Sequence, residues 1–382
     1  MLVRKMLLLA LLFCAALARP VFGESESILV LSDTHLNRDS QKHAEMMDAV
    51  VHAAMGRDAV LMIGDNTDNA HAEEHALVLK WAGEIEQRTG AEVYIIPGNH
   101  DYGAFFGPEK YIAMYGKYGR EQAFSVDIAT ASCAVMTKKG TCLLLLDTNQ
   151  PDTDRSFLPD GRIGEGTLKW VRQVLASLPD GTPVAVCGHH PILPEERDKR
   201  TPGAEALGIA LREYGAGIYL CGHDHGFATV EQDGLRQITV GQPQAYPGWA
   251  GILERNEENF SWHTEQIYAE ESQAYLGLRN GAEFLGRNMA RGTLEPTPYA
   301  GDEGAIEWFT EAFILTLGSK ATPEDRARLL GDENCSKWRR VETPTVVKKW
   351  ILGLLEYPPE DVTQIKLPPS RKHIPEAQNE NE

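Results

Sequence analysis

Five short polar clusters stand out by residue type. They are Ser32-Asp33-Thr34-His35, Gly64-Asp65-Asn66-Thr67-Asp68, Gly98-Asn99-His100-Asp101, Gly188-His189-His190-Pro191 and Gly222-His223-Asp224-His225. Carboxylate and imidazole donors suit divalent metals such as manganese, iron and zinc. Asp33 and Asp65 add anionic oxygens, and no cysteine is needed. A step of two residues places Asp33 and His35 on one side of an extended chain, and likewise His223 and His225. Glycine opens four of the clusters and permits tight turns and close backbone approach. Asp33 and Asp65 are 32 positions apart, Asp65 and Asn99 are 34, and His189 and His223 are 34. A strand–helix–strand unit takes about 30 residues or more. The spacing therefore suits clusters that return to one edge of a sheet.

The elements that must position them are legible as hydrophobic runs. Ile28–Ser32, Ala59–Ile63, Val93–Ile96, Cys142–Leu146, Val184–Cys187 and Ile218–Cys221 read as short apolar strands, ending near Asp, Gly or Pro. Gln41–Met55, His71–Arg88 and Glu165–Ala176 carry helical patterns between them. Strands alternating with helices imply an α/β fold with much parallel pairing. Ligands in such sheets sit beyond the carboxyl ends of the strands, where the polar clusters fall. From Gln237 to Gln266 helices disappear. Ile238–Val240, Gly251–Glu254 and Phe260–Thr264 are expected as a closing antiparallel set. Beyond residue 268 the chain reads mainly helical, as in Ala269–Arg291, Ala305–Leu317 and Thr345–Leu355. The expected organisation is a leader at 1–23, a catalytic domain at 24–268, a helical C-terminal region at 269–366 and a polar tail at 367–382.

The ordered blocks D-x-H, G-D-x-x-D, G-N-H-D, G-H-H-P and G-H-D-H resemble the calcineurin-like metallophosphoesterase superfamily. They span Ser27 to Gly226. Leu143–Asp147 followed by Gly161–Val174 is similar to that family's strand, loop and tryptophan-containing helix. The resemblance implies a four-layer α/β/β/α sandwich of two mixed sheets, here with a C-terminal helical extension. It implies two divalent or trivalent metal ions, drawn from manganese, iron or zinc. Asp33, His35, Asp65 and His225 would hold one ion. Asp65, Asn99, His189 and His223 would hold the other, with Asp65 bridging. His100 would face the leaving-group oxygen, and Asp101 would orient His100. His189, rather than His190, matches the ligand position. The implied reaction is hydrolysis of a phosphate mono- or diester by attack of a metal-bound hydroxide. The substrate would be a small phosphate ester, with nucleotidase or cyclic-nucleotide diesterase activity among the options. Purple acid phosphatases usually have tyrosine where Asp68 stands and D-x-G where Asp33-Thr34-His35 stands. The chain thus looks more like the phosphodiesterase-type branch. The alternative is a secreted binding or scaffold protein that keeps the fold.

Bulk composition narrows the field. The formal charge is −18, and removing Met1–Gly23 with its three basic residues leaves −21. Such a surface repels polyanions and argues against a non-specific grip on nucleic acid. Arg4 and Lys5 precede an apolar run from Met6 to Ala18. A charged start and an apolar run of about 7–15 residues describe a secretory leader, so periplasmic or secreted location is expected. No later stretch is long and apolar enough to span a membrane, so no stable span is expected after cleavage.

Cys133 and Cys142 flank an expected hairpin and could pair in an oxidising compartment, whereas Cys187 and Cys221 read as core residues. His71-Ala72-Glu73-Glu74-His75 matches a zinc-protease pattern, but a motif this short matches by chance often. His43 and His52 read as helix-surface residues. Asp152, Asp154 and Ser156 hint at a calcium loop, but Phe157 stands where glycine is needed. Tyr246, Trp249 and Trp262 read as packing residues.

Overall fold

A computed structural model of the chain describes residues 25–37, 40–103, 106–149, 161–193, 201–257, 259–317, 321–342, 346–356 and 364–367. The expected leader, the loop at Asp152–Phe157 and the tail from Pro368 lie outside the described residues.

Two mixed sheets face each other. In the first, β1 (Glu26–Leu31), β2 (Ala59–Ile63) and β3 (Glu92–Ile96) run parallel. On the other side of β1 lie β11 (Trp249–Asn256), β12 (Asn259–Gln266) and β13 (Gln364–Lys366), all antiparallel to their neighbours. The second sheet is ordered β4-β5-β6-β7-β8-β10-β9. Its parallel centre is β6 (Cys142–Leu145), β7 (Val184–Cys187), β8 (Ile218–Cys221) and β10 (Leu235–Thr239). Antiparallel edges are added by β4 (Ser125–Val126), β5 (Cys133–Met136) and β9 (Ala228–Gln232).

The period of two along a strand sorts the side chains into layers. Ile28, Val30, Leu61, Ile63 and Tyr94 of the first sheet pack against Leu143, Leu145, Ala185, Ile218 and Leu220 of the second. The alternate residues point outward. Leu29, Leu31 and Met62 meet α1 (Ser40–Ala54) and α2 (Ala72–Thr89). Leu144, Val186 and Cys221 meet α4 (Glu165–Ser177) and α5 (Ala204–Glu213). Both faces of each parallel strand are therefore buried, which is why these strands read as unbroken apolar runs. The short α3 (Pro108–Tyr115) packs Tyr111 and Tyr115 into the first outer layer.

The C-terminal region contributes α6 (Gln273–Leu294), α7 (Glu303–Leu317), α8 (Pro323–Gly331), α9 (Glu333–Arg340) and α10 (Val346–Glu356). Ala282, Phe309, Phe313 and Trp338 belong to the same continuous core as Met46, Val50 and Trp81. Trp338 packs against Phe309 with ring centroids 4.6 Å apart and donates its Nε1–H to the Ala305 carbonyl. The chain then returns to the catalytic half, where β13 pairs with β12 and buries Ile365 between the sheets.

Three expectations change. Ile238–Val240 does not join the antiparallel set: β10 pairs parallel with β8 in the second sheet, while β11 and β12 extend the first. The polar turn after β10 hid that crossing between sheets. His43 is buried, and its Nε2 accepts the Asn37 N–H at 3.0 Å. It thereby ties α1 to the loop that follows β1, whereas His52 is exposed as expected.

Cys133 and Cys142 do flank a hairpin, but they do not pair. Cys133 stands opposite Leu145, and Cys142 opposite Met136. Their side chains point to opposite faces, Cys133 between the sheets and Cys142 toward α4. No disulfide joins any of the five described cysteines, and all are buried. Burial pushes the thiols of Cys133 and Cys142 up to about 12. Native protein is therefore expected to leave these cysteines unlabelled by iodoacetamide, with all five labelled after unfolding in denaturant. Melting temperature should be unchanged by dithiothreitol. Mass-spectrometric mapping of the labelled peptides checks both.

Candidate metal centre

The polar clusters follow the carboxyl ends of β1, β2 and β3 in one sheet and of β7 and β8 in the other. They meet where the two sheets face each other. The loop after β1 is zipped to the loop after β2 by backbone bonds from Asp33 to Gly64, His35 to Asp65 and Leu36 to Asn66, each 2.9–3.0 Å. Across the seam, both oxygens of Asp33 accept the His223 N–H, at 3.1 and 3.2 Å. Close approach is enforced by absent side chains. A Cβ on Gly64, whose φ is +99°, would lie 2.5 Å from the His189 ring, and one on Gly222 would lie 1.8 Å from Ser32 Oγ.

The pairs Asp33/His35 and His223/His225 do converge, but not by the expected route of an extended chain. Asp33, His35, Asp65, His223 and His225 all have positive φ, between 41° and 74°. Left-handed backbone is costly for such residues. The tight turns it makes aim donors from successive positions at one place.

All seven expected donors are brought together. Asp33, His35, Asp65 and His225 offer ligand atoms within 4.8 Å of one another, and so do His189, His190 and His223. Asp65 joins the two groups: its Oδ2 is 3.9 Å from His35 Nε2 and 3.2 Å from His189 Nε2. The His189 Nδ1–H donates to the Ile63 carbonyl at 3.1 Å, which turns Nε2 toward Asp65. That Nε2 is fully buried and lacks a well-aligned hydrogen bond, despite the short contact. His35 Nε2 lies 3.1 Å from His225 Nε2, and His223 Nδ1 lies 3.1 Å from Asn99 Oδ1. Two donors each about 2.0–2.2 Å from a shared cation stand roughly 3 Å apart. The donor set therefore fits two cations better than it fits a self-contained hydrogen-bond network.

Charge tells the same story. Burial pushes His35 down to about 4, only partly offset by Asp65, so its ring is neutral and ready to ligate. Burial raises Asp33, against the pull of His189. Burial would also raise Asp65, but the adjacent His189 charge and hydrogen bonds hold it below the usual carboxylate range. Burial opposes charge on His189, yet Asp65 overcomes it and lifts His189 to about 9. Without a cation, Asp65 and His189 form a buried ion pair.

His100 lies on the exposed rim. Its N–H donates to Asp65 Oδ1 at 2.8 Å, and its Nδ1–H to the Asp68 carbonyl at 2.7 Å. Asp101 does not bond the His100 ring, contrary to expectation. Its buried carboxylate accepts five bonds, from Gly98, Asn66 and Thr67, and so fastens the loops after β2 and β3 together. Burial and the nearby Asp65 push Asp101 up to about 6, against those bonds. The protease-like His71–His75 pattern is structural. Glu74 caps α2 by accepting the Asn69 and His71 N–H groups, while His75 is buried against Phe106 and bonds Tyr115. Tyr246, Trp249 and Trp262 are buried, as expected of packing residues.

Several residues at the site had been given no role from the sequence. Asp68 Oδ1 is 3.5 Å from His35 Nδ1, and Thr148 Oγ1 is 2.7 Å from His190 Nδ1. Asp147 and Asn149 brace the neighbouring loops through Tyr102 and the Pro97 carbonyl. Their signal was a sixth polar cluster, Asp147-Thr148-Asn149, at the end of β6. A cavity of about 570 Å³ lies elsewhere, between Met46 of α1, Tyr246 and Leu278 of α6, and contains none of these donors.

A family model described as calcineurin-like phosphoesterase matches residues 26–227, just over half of the chain. The chain belongs to that family. It is a metal-dependent phosphoric ester hydrolase. A probable cyclic nucleotide phosphodiesterase from Rhodococcus erythropolis is 25% identical over 235 residues, covering 56% of this chain and 70% of that protein. A dimetal phosphatase from Danio rerio is 14% identical with a TM-score of 0.49, over 64% of this chain and 96% of that one. A purple acid phosphatase from yellow lupin is 13% identical with a TM-score of 0.48, over 64% and 52%. No helix among the described residues is long and apolar enough to cross a membrane.

The His189 shift sets a pH dependence. A cation must displace the proton that Asp65 holds on His189 up to about pH 9. Raising the pH removes that competitor. Metal affinity is therefore expected to rise about tenfold per pH unit from 6.5 toward 9 and then level off. Chelator-competition titrations with Mn²⁺ measure it, and a flat profile would contradict the ion pair.

Proposed function

We propose that this protein hydrolyses a small phosphate mono- or diester at a dinuclear metal centre. The observation that carries the reading is the position of Asp65 between two donor clusters whose nearest pairs lie 3.1–3.2 Å apart. Asp33, His35, Asp65 and His225 would hold one ion. Asp65, Asn99, His189 and His223 would hold the other. When bound, the pair supplies Lewis acidity, drawing charge from the phosphoryl oxygens and making an attacking water more acidic.

The chain's own residues supply the rest. The Asp68 carboxylate lies 3.5 Å from the His35 Nδ1, without a hydrogen bond to it, and its charge favours a proton on that nitrogen. The Asp68 carbonyl orients the His100 ring, whose Nε2 can carry a proton to the departing oxygen. The Asp101 bonds keep the His100 backbone pinned to Asp65. We keep residues 24–268 as the catalytic part and 269–366 as a helical brace on its outer face. Export to the periplasm or exterior is part of the proposal, carried by Arg4, Lys5 and the apolar run after them. The relative from Rhodococcus erythropolis makes cyclic nucleotides a substrate class to include. A scaffold role is disfavoured because every expected donor is retained.

Release of p-nitrophenol from bis-p-nitrophenyl phosphate and p-nitrophenyl phosphate tests the reading. Turnover should require Mn²⁺, stop with EDTA and fall by at least about a hundredfold in Asp65→Asn. Equal rates with and without metal would remove its basis. His100→Ala should lower kcat by about 10²–10⁴ on an alkyl phosphate ester. The loss should be smaller for p-nitrophenyl esters, whose leaving group needs no proton. Equal losses on both would assign His100 to phosphate binding instead.

A further inference from the structure

The cavity of about 570 Å³ between α1 and α6 holds none of the metal donors, yet it lies at the same edge of the first sheet. Val30 of β1 pairs with Gly251 of β11, which places Trp249 level with the end of β1, where Asp33 follows. Trp249 in turn pairs with Gln266 at the end of β12. The segments that wall the cavity leave from there. Gln244, Ala245 and Tyr246 precede β11, Tyr268 follows β12, and α1 begins five residues after His35. A direct link also exists: the Gln242 N–H donates to the carbonyl of the expected ligand His225 at 3.3 Å. Gln244 is two residues further, at most about 7 Å along the chain.

The lining sets the chemistry of an occupant. Met46, Tyr268, Leu278, Ala282, Leu285 and Leu317 supply apolar or aromatic surface. The Tyr246 hydroxyl is engaged by that of Tyr275 at 3.3 Å. Glu45 is the one charged side chain among the described lining residues, and its carboxylate opposes a second anion. The volume lies within the range of about 300–1,000 Å³ usual for small-ligand sites, and Leu285, half exposed, leaves a mouth open to solvent.

We propose that this cavity is a subsite for the organic group of the substrate, and that the group is an uncharged alkyl or acyl chain. The proposal rests on hydrolysis of a phosphate ester at the metal centre and names the class of ester. With the phosphoryl group beside His225, a chain of several methylenes crosses the Gln242–Gln244 segment and enters the cavity. Burial of its apolar surface there drives binding, since such a chain gives up no hydrogen bonds to water. A nucleobase is the competing occupant, because the amides of Gln244 and Gln273 also line the space. Its polar edge would be poorly matched by the remaining walls. In this arrangement α6 does more than brace the catalytic half: it forms one wall of the subsite and selects the substrate. The bland alternative is a packing gap between α1 and α6, which would be indifferent to chain length.

Inhibition of bis-p-nitrophenyl phosphate hydrolysis by alkylphosphonates tests this, with the metal-loaded full chain and chains from methyl to octyl kept below aggregation. The inhibition constant should fall about twofold or more per methylene, so that octylphosphonate binds at least about a hundredfold tighter than methylphosphonate. Gly281→Leu should abolish that gain. Gly281 lines the cavity, and a Cβ there meets nothing within 4 Å, so the added side chain takes up the space. Gly277→Leu, equally open, repeats the test should the first variant fail to fold. Methylphosphonate and octylphosphonate inhibiting wild type equally would overturn the proposal and leave the hydrolase reading intact. A chain-length gain retained in a folded variant would overturn it too, as would adenosine 5′-phosphate binding more tightly than octylphosphonate. Absence of any hydrolysis by metal-loaded wild type would instead defeat the hydrolase reading, and the subsite with it.

Discussion

Asp65 carries a negative charge into a place that water does not reach. Its side chain is 2% exposed, at the junction of two sheets. A buried charge is costly unless it is paired and hydrogen-bonded. One oxygen is met by the His100 backbone N–H, and the other faces the imidazoles of His189 and His35. Gly98 lets the neighbouring loop close directly over it. Without a cation, the proton that Asp65 holds on His189 balances this charge, while Asp33 beside it is buried without such a partner of its own. Cations complete the balance, and the surrounding architecture is arranged to admit them.

That arrangement is maintained against local strain. Of the eight non-glycine residues with positive φ among the described residues, five are expected metal ligands. The remainder of the fold must therefore over-determine these turns. Parallel strands buried on both faces do so from beneath. Asp101 does so from the side, through four bonds to the neighbouring loop and one within its own. At the far end of the sandwich, Arg255 is buried against Glu26 and Thr141 and links β11, β1 and the start of β6. The two sheets are thus fastened at both ends, and the donors of one sheet keep their distance from those of the other.

Much of this was legible in the sequence, for identifiable reasons. The six parallel strands named from apolar runs are all present, because strands buried on both faces cannot hide among polar residues. The donor clusters were legible because ligands must lie at strand ends with glycine beside them. What escaped was long-range. The separation of β10 from β11 depends on which sheet each strand joins, and strand patterns carry no such information. The mismatch of Cys133 and Cys142 depends on a register offset of three residues, an odd number, which reverses the face of a side chain. His43 points inward and bonds Asn37, a contact that periodicity along a helix does not reveal. The helices α8 and α9 were missed although Thr322 and Asp332 cap them, the first with proline following. Their shortness hid them, since nine and eight residues give little periodicity to read.

The most direct test of the account is to locate the metals. Anomalous diffraction from crystals grown with Mn²⁺ should give two peaks per chain, about 3.5–4 Å apart, with Asp65 bridging them. The first should be bounded by Asp33, His35 and His225, and the second by Asn99, His189 and His223. A single peak, or two peaks that do not share Asp65, would contradict the dinuclear centre.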